Sequence, residues 1–266
     1  MPDPSLNDLL NVAIDAAYAA GRRTLAYFNT RVAVETKADN TPVTCADREA
    51  EEMIRATISA HFPTHSILGE EGGIHDGSDT RYRWIIDPID GTKSFICGVP
   101  LYGVLIGVEI AGSPQVGVCY LPALDEMLAA ATGLGCKWNG RAARVSSTAK
   151  LSDAVVSSTS IATALARSDA FEKIMARAKV TRGWGDCYGH VLAATGRIDV
   201  MIDPRMNPWD AAPFAAIYAE AGGHYTTWKG EPTIHGPDGV GTNAPLHREV
   251  IEILKNERLK PQWQAK

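Results

Sequence analysis

The chain has 266 residues, of which 45% are hydrophobic and 21% charged, and its formal net charge is -5. This composition is typical of a folded globular protein with a sizeable core. A mildly acidic chain without a run of Lys or Arg lacks the basic surface that nucleic-acid binding requires, so we expect no nucleic-acid partner. A phosphorylated ligand would need bound cations to neutralise it.

Cysteine usage and apolar runs indicate the compartment. The five cysteines are odd in number and form no C-x-x-C pair, which argues against a disulfide framework or a zinc site. The N-terminus lacks the positive region and apolar run of a signal peptide, and no apolar stretch approaches about 18 residues. We therefore expect a cytoplasmic protein with no membrane association.

The first half is predicted to contain two helices and several strands. Apolar residues at spacings of three and four predict a helix over 6–28 with Ser5 as N-cap, and a second helix from Thr44 to a stop at Pro63. Residues 31–43 and 74–80 read as loops. Strands are expected at 66–68, at 84–87, at 126–131, and at 101–110 and 115–120 as an antiparallel hairpin.

The second half alternates between strands and helices. We predict strands at 155–156, 198–202 and 224–228, and helices at 169–179, 188–195, 210–221 and 245–255. The helix over 210–221 is closed by two glycines. No linker or composition shift divides the chain, and this mixture of elements predicts layered α and β structure.

The central motif is the segment 84–92, which reads Trp-Ile-Ile-Asp-Pro-Ile-Asp-Gly-Thr. An apolar strand delivers Asp87 and Asp90 to one place, and Pro88 stiffens the turn between them. Gly91 removes bulk where the backbone must come close to a ligand. Two carboxylates so placed are typical ligands of hard divalent cations.

The same motif offers a place for phosphate. The N–H groups of Gly91 and Thr92 would lie at the beginning of a helix, where anions are favoured. Carboxylates beside a phosphate would repel it unless metal ions lie between them. The combination therefore indicates metal-mediated phosphate chemistry better than either feature alone.

Several of these residues also have ordinary structural explanations. Thr44 and Asp47 have the spacing of a capping box, and Asp210 could simply cap the helix that follows it. Glu70 could belong to a solvated acidic loop, although it stands at a strand end as Asp87 does. For His190, in an Ala-rich helix, a packed or hydrogen-bonded role is favoured over a ligand role.

Taken in order, these motifs resemble the inositol monophosphatase superfamily of metal-dependent, lithium-sensitive phosphatases. The resemblance extends from about residue 6 to residue 256. Five segments carry it: Lys37-Ala-Asp39, Pro42-Val-Thr-Cys-Ala-Asp47, Gly69-Glu-Glu-Gly72, Asp87-Pro-Ile-Asp-Gly-Thr92 and Trp209-Asp-Ala-Ala212.

The resemblance implies two or three Mg²⁺ ions, with Mn²⁺ as a substitute. Glu70, Asp87 and the Ile89 carbonyl would hold the first ion. Asp87, Asp90 and Asp210 would hold the second, and a third, looser ion would share Glu70.

The resemblance also implies catalytic roles for Thr92, Asp47 and Glu70. Thr92, hydrogen-bonded to Asp47, would orient a metal-bound water for in-line attack on phosphorus, without a covalent phosphoenzyme. The N–H groups of Gly91 and Thr92 would hold the phosphate.

Three further segments most resemble the histidinol-phosphate phosphatase branch: residues 90–96, Gly183-Trp-Gly-Asp-Cys-Tyr-Gly-His190 and Asp203-Pro-Arg-Met-Asn-Pro-Trp-Asp210. Histidinol phosphate carries an ammonium group and a protonatable imidazole, and Asp186 and Asp203 would match them. Either acid could instead be solvated or accept a turn N–H. The implied substrate-binding residues are Asp90, Gly91, Thr92, Gly185, Asp186, Cys187, Asp203 and Asp210.

Two departures from the superfamily pattern stand near these segments. Ser94 replaces a common Asn, and Pro213-Phe214 follows Ala212 where Gly is common. Neither touches an implied metal ligand. Both argue against a preference for inositol phosphate, not against hydrolysis.

The implied fold is a layered αβαβα sandwich, an α/β architecture, formed by one domain over 1–266. Its halves, 1–145 and 146–266, would enclose the active site, and members of this superfamily are commonly homodimers. The leading hypothesis is magnesium-dependent hydrolysis of histidinol phosphate in histidine biosynthesis. The alternatives are hydrolysis of inositol phosphate or of other small sugar or nucleotide phosphates, and a non-catalytic regulatory protein that binds metal and phosphate.

Overall fold

The computed structural model describes residues 3–38 and 40–264, so Asp39 of the first motif and the extreme ends of the 1–266 domain lie outside the described residues. Helix α1 (Leu6–Leu25) begins at a capping box in which Asp8 donates its N–H to Ser5 Oγ and accepts the Ser5 N–H. It ends three residues earlier than the sequence predicts. None of the described helices is long and apolar enough to cross a membrane.

Helix α2 (Cys45–His61) begins after Thr44, as predicted, and ends before Pro63 because a residue that precedes proline disfavours helical backbone. The predicted loop over 31–43 is partly wrong. Strands β1 (Val34–Thr36) and β2 (Pro42–Thr44) pair there as a small antiparallel sheet that leads the chain into α2.

The larger sheet contains eight strands in the order β10-β9-β8-β7-β6-β5-β3-β4. The predicted hairpin over 101–120 is confirmed as β6 and β7, whereas the loop over 74–80 contains part of β4 and the first residues of β5. The elements are β3 (His65–Gly69), β4 (Gly73–His75), β5 (Asp79–Asp90), α3 (Thr92–Ile96), β6 (Gly103–Ile110), β7 (Ser113–Leu121), β8 (Glu126–Ala131), β9 (Gly135–Trp138) and β10 (Arg141–Ala142).

Strands β3 and β5 run parallel, with Gly69 opposite Ile86. Parallel strands end at the same edge of a sheet, so the residues that follow both strands come together. Glu70 donates its N–H to the Ile86 carbonyl at 3.2 Å, one residue before Asp87. Two motifs separated in sequence therefore meet at one edge.

The second sheet contains five strands in the order β12-β11-β13-β15-β14. Helix α4 and strand β15 were not predicted, and β14 ends earlier than expected. The elements are β11 (Val155–Ser158), α4 (Ile161–Arg167), α5 (Ala170–Arg177), β12 (Val180–Arg182), α6 (Asp186–Ala194), β13 (Val200–Asp203), α7 (Pro208–Ala221), β14 (Gly223–Thr226), β15 (Gly239–Asn243), α8 (Ala244–Lys255) and α9 (Pro261–Gln264).

The core is arranged in five layers, which confirms the predicted αβαβα sandwich. Helices α1 and α2 cover the outer face of the large sheet, with Leu9 and Ile54 packed in the same cluster as Trp84. Helices α6 and α7 lie between the two sheets. Helices α4, α5 and α8 cover the outer face of the small sheet.

Candidate active site

A bulge in β5 brings Asp87 and Asp90 together. Asp87 pairs with Leu105 and Asp90 with Gly103, so three steps on β5 match two on β6. In a regular strand, side chains three residues apart point to opposite faces, and a bulge removes that alternation. Strand β5 therefore continues to Asp90, beyond the predicted end at Asp87.

The turn after Asp90 requires glycine. Gly91 has φ of 84°, in the left-handed region, and a Cβ there would lie 3.2 Å from both Asp186 Oδ2 and the Leu101 carbonyl. Helix α3 begins at Thr92, as the sequence predicts. The backbone of Gly91 and Thr92 thus lies between the carboxylates of β5 and the beginning of α6.

Asp210 enters the site from the first turn of α7. Asn207 is the N-cap, and Asp210 Oδ2 accepts the Asn207 N–H at 2.8 Å and the amide N–H at 3.1 Å. The capping explanation is therefore correct, although the N-cap itself is Asn207. Capping does not exclude a ligand role, because the same carboxylate faces Asp87 and Asp90.

The donor set fits a divalent cation. Carboxylate oxygens of Asp87, Asp90 and Asp210 lie within 4.8 Å of one another. Like charges this close are unfavourable unless protons or a cation neutralise them. Oxygen donors of this kind suit Mg²⁺ and Mn²⁺, so the cluster can hold a metal ion.

The pKa values of these groups report the same crowding. Burial, reinforced by the charges of Glu70 and Asp90, holds the pKa of Asp87 well above its ordinary value. Burial and the charges of Asp186 and Asp210 do the same for Asp90, against a hydrogen bond from Cys187. Burial raises the pKa of Asp210 to about 7, assisted by Glu70 and opposed by the hydrogen bonds from Asn207.

Glu70 is held at the edge of the cluster by a cation that the sequence analysis gave no role. Lys37 Nζ lies 2.6 Å from both Glu70 Oε1 and Glu71 Oε1. Glu51 fixes the backbone that follows Glu70 by accepting hydrogen bonds from the N–H groups of Glu71 and Gly72 at 2.8 and 2.7 Å. The acidic segment is therefore ordered by partners, unlike a solvated loop.

The expected hydrogen bond between Thr92 and Asp47 is absent from the described contacts. The Thr92 hydroxyl donates to the Ile89 carbonyl at 3.2 Å. Asp47 Oδ2 accepts the Thr44 N–H at 2.8 Å and the Thr44 hydroxyl at 2.7 Å, because Asp47 completes the cap of α2. Burial, opposed by these hydrogen bonds, raises the pKa of Asp47.

Two cavities adjoin at the acidic cluster and share Asp90, Asp186 and Asp210. The larger has a volume of about 230 Å³ and contains the metal and phosphate motifs. The smaller, of about 90 Å³, opens toward the second half of the chain. It is lined by Asp90, Thr159, Asp186, Cys187, His190, Asp203, Arg205, Met206, Asp210 and Phe214. We call the smaller one the leaving-group cavity.

Asp186 stands where the two cavities meet. Its φ of 52° is unusual for a residue other than glycine, and its N–H is fixed by donation to Thr159 Oγ1 at 2.8 Å. Ser94 Oγ donates to Asp186 Oδ2 at 3.4 Å. Burial and the charge of Asp203 raise the pKa of Asp186 to about 6. The Asp186 carboxylate is thus only weakly hydrogen-bonded within the described part of the protein.

Asp203, by contrast, is almost fully buried and well partnered. His190 Nε2 lies 2.8 Å from Asp203 Oδ2, and Thr159 donates its N–H to Oδ1 at 3.3 Å. His190 also contacts the Tyr218 hydroxyl at 3.2 Å and stacks on Phe214 at 4.3 Å. The packed, hydrogen-bonded role predicted for His190 is what the structure shows.

Of the other expected substrate-side residues, Cys187 lines the leaving-group cavity, whereas Gly185 is the N-cap of α6. A Cβ on Gly185 would lie 2.4 Å from Thr159 Cα, so glycine allows a close backbone approach. Three further lining residues, Thr159, Arg205 and Lys93, escaped sequence analysis. Arg205 and Lys93 lie inside quoted motifs, and their charge was the available signal.

Comparisons with known proteins agree with this geometry. The profile of the inositol monophosphatase family matches residues 5–259. A histidinol-phosphatase of Chlorobaculum parvum is 44% identical over 93% of this chain and 96% of its own length. Another, of Mycobacterium tuberculosis, is 38% identical over 83% of this chain and 87% of its own.

Solved structures show the same fold. The IMPase of Thermotoga maritima superposes with a TM-score of 0.83 at 32% identity, covering 93% of this chain and 96% of that one. The resemblance stated from five short motifs is thus confirmed over nearly the whole chain. The chain belongs to the inositol monophosphatase family and is a phosphatase of that family.

Proposed function

We propose that this protein hydrolyses L-histidinol phosphate to L-histidinol and phosphate in a reaction that requires Mg²⁺. One observation carries the proposal. A group of converging carboxylates, of which Asp87 is buried, lies beside the Gly91–Thr92 turn and opens into a second cavity that is itself lined by Asp186 and Asp203. The first feature suits a phosphate with its cations, and the second suits a leaving group that carries positive charge.

The metal ions would be held by the residues that the family resemblance indicates: Glu70, Asp87, the Ile89 carbonyl, Asp90 and Asp210. All of them line the larger cavity. When bound, two or three Mg²⁺ ions, or Mn²⁺ in their place, would neutralise the phosphate and lower the pKa of a coordinated water.

The protein's own contribution is to position the phosphate and the attacking water. The N–H groups of Gly91 and Thr92 would donate to phosphate oxygens, as the beginning of a helix favours anions. We propose that the Thr92 hydroxyl turns from the Ile89 carbonyl toward Asp47 during the reaction, so that its oxygen can accept a hydrogen bond from the water. Glu70 would complete the catalytic group from the same sheet edge as Asp87, where Lys37 holds it.

The leaving group would occupy the leaving-group cavity. The carboxylate of Asp186 is weakly hydrogen-bonded and therefore available for the substrate ammonium. Asp203 is already hydrogen-bonded to His190 and Thr159. Both departures from the superfamily pattern contact this region, since Ser94 bonds Asp186 and Phe214 lines the cavity. The relatives named histidinol-phosphatase support the same choice of substrate.

A phosphate-release panel tests the proposal. Histidinol phosphate, inositol 1-phosphate and glycerol 2-phosphate would be compared at equal concentration in Mg²⁺, with EDTA as the control. We expect the highest kcat/KM for histidinol phosphate and no release in EDTA. A preference for inositol 1-phosphate would contradict the proposed substrate. Release of phosphate without metal would contradict the proposed requirement for Mg²⁺.

The homodimer and the cytoplasmic location that the sequence indicates belong to the same proposal. Light scattering of the purified protein would measure its mass in solution. A mass of one chain across the working concentration range would contradict the dimer. Cell fractionation with an antibody to the native chain would test the location.

A further inference from the structure

Arg205 joins the leaving-group cavity to the C-terminal end of the chain. The residue lines the cavity, and its guanidinium carbon lies 4.6 Å from the centroid of the Trp263 ring in α9. Among the ion pairs of the described residues, none involves Arg205. The guanidinium is therefore placed by an aromatic ring and keeps its donors free for a ligand.

The C-terminal segment that carries Trp263 is firmly attached to the loop before α7. Buried Arg167 donates Nη1 to the Pro204 carbonyl at 3.0 Å and forms ion pairs with Asp238 and Glu257, both at 2.7 Å. Its own carbonyl accepts the Lys260 N–H at 2.8 Å. One buried arginine thus connects the residue before Arg205 to the segment leading into α9.

A second aromatic contact strengthens this connection. Arg167 lies 3.9 Å from the centroid of the Trp228 ring, and Trp228 Nε1 donates to the Asp203 carbonyl at 3.0 Å. The two residues that precede Arg205 are therefore tied to the same buried network. This fixes the loop backbone, while the Trp263 ring restricts the direction of the Arg205 side chain.

The charge pattern of the cavity assigns Arg205 a role. Asp186 and Asp203 attract a cationic group, whereas a guanidinium repels it and offers only hydrogen-bond donors. A leaving group with one ammonium and one uncharged acceptor would therefore orient with its ammonium toward Asp186. Its acceptor, such as the free nitrogen of a neutral imidazole or a hydroxyl oxygen, would point to Arg205.

We propose that Arg205 is a specificity-determining residue that donates hydrogen bonds to an uncharged acceptor of the leaving group, and that Trp263 is the positioning residue that aims it. The proposal rests on the proposed function, because it concerns the same reaction. It extends the site to a residue of the C-terminal segment, 53 positions beyond the proposed ligand Asp210.

The test compares kcat/KM for histidinol phosphate with kcat/KM for ethyl phosphate, whose leaving group has neither a ring nitrogen nor a further hydroxyl oxygen. Arg205→Gln should lower this ratio about tenfold or more through KM, since a hydrogen bond from a charged donor is lost. Arg205→Lys should restore part of the ratio. Trp263→Leu should lower the ratio in the same direction, and Trp263→Phe should retain it.

A matched control is available in Arg197. Its guanidinium carbon lies 4.5 Å from the Trp138 ring centroid, and it pairs with Glu126 outside both cavities. Arg197→Gln removes a similarly stacked arginine and should keep the wild-type ratio. If Arg205→Gln also keeps the wild-type ratio, the proposal is wrong. It is also wrong if kcat/KM falls equally for both substrates and the melting temperature falls with it.

Failure of the proposed function would be visible in the wild type before any substitution. A wild type that cleaves inositol 1-phosphate but not histidinol phosphate would refute the proposed substrate alone. The Arg205 variants would then be measured with inositol 1-phosphate, whose hydroxyl oxygens are uncharged acceptors. An unchanged ratio to ethyl phosphate, which has no such hydroxyl, would refute the role of Arg205 in that series.

Discussion

Cys187 donates its backbone N–H to Asp90 Oδ2 at 2.5 Å, across 97 positions of sequence. This bond joins the first turn of α6 to the end of β5. The carboxylate that the motif analysis placed among the metal ligands is therefore oriented by the same turn that carries Asp186. This hydrogen bond therefore links the acidic cluster to the leaving-group cavity.

Asp90→Asn should abolish turnover while the protein remains folded. The amide oxygen can still accept the Cys187 N–H, but a carboxylate ligand is lost, so we expect kcat/KM to fall by more than about a hundredfold. Thermal unfolding without Mg²⁺ should occur at the same or a higher temperature, because one crowded negative charge is gone. Phosphate release and calorimetry check the two halves of this prediction.

Asp79→Asn is the matched control for that variant. Asp79 begins the same strand, and its ion pair with Arg81 lies at the surface, where such pairs contribute at most about 1 kcal/mol. Its activity should equal that of the wild type. Normal turnover by Asp90→Asn would show that the ligand assignment is wrong.

Mg²⁺ should stabilise the protein more at pH 8 than at pH 6. Burial and neighbouring carboxylates raise the pKa of Asp210 to about 7 and that of Asp186 to about 6. A group whose pKa is higher in the folded state favours folding at low pH, and this contribution is lost as the pH rises through the folded pKa. Divalent cations compensate that loss and compete with protons for the same oxygens.

The measurement is the melting temperature with Mg²⁺ minus that with EDTA, across pH 6 to 8. We expect the difference to grow by a few °C over this range. Asp90→Asn should show a smaller difference at every pH. Equal differences at pH 6 and pH 8 in the wild type would contradict the assigned proton competition.

Much of this fold could be predicted because local signals agree with packing. Ser5 and Thr44 are the N-caps that the structure uses, and continuous apolar runs define β6 to β8. Strand β15 escaped prediction because glycines at 239 and 241 lower its strand propensity. The structure requires Gly241, since a Cβ there would lie 2.1 Å from the Tyr218 ring.

Part of the candidate site could likewise be predicted from the sequence, and part could not. Asp87, Asp90 and Asp210 could be named from motifs. The bulge that aligns Asp87 and Asp90 depends on pairing with β6, and Pro88, a residue that often marks a bulge, was interpreted as part of a turn. The direction of the Arg205 side chain depends on its contact with the Trp263 ring, which lies far along the chain, so this direction could not be predicted from sequence. Asp203 was expected to face the leaving group and lines the cavity, but its hydrogen bond to His190 depends on tertiary contacts that the sequence does not indicate.

Gly91→Ala should impair activity more than stability. A left-handed φ costs about 1–2 kcal/mol for a residue with a Cβ, and this Cβ would also press on Asp186 Oδ2 and the Leu101 carbonyl at 3.2 Å. We expect a modest drop in melting temperature and a fall in kcat/KM of at least about tenfold, because small displacements of a positioned group are costly.

Gly133→Ala separates the two effects. Gly133 has a comparable φ of 79°, and nothing lies within 4 Å of its added Cβ. This variant should show a similar drop in melting temperature with wild-type kinetics. If Gly91→Ala behaves in the same way, the close approach at the phosphate turn has no functional role.

Asp186→Asn should mainly raise KM, whereas Asp203→Asn should mainly lower the melting temperature. Asn tolerates the left-handed backbone at position 186, and among the described residues the one hydrogen bond to the Asp186 side chain is the long one from Ser94. We expect little change in melting temperature and a rise of about tenfold in KM for histidinol phosphate, because an ammonium loses its counter-charge.

In Asp203→Asn, by contrast, one buried carboxylate that accepts from two sides becomes an amide with a single acceptor oxygen. The Thr159 N–H can keep the amide oxygen, but the His190 ring must then change tautomer to accept from the NH₂ group, and the hydrogen bond that it donates to a carboxylate, worth about 1.5–3 kcal/mol, is lost. The melting temperature should fall, with a smaller rise in KM than for Asp186→Asn. A large KM effect at an unchanged melting temperature would instead make Asp203 the direct partner of the substrate ammonium, and the arrangement of the leaving group in the cavity would have to be reversed.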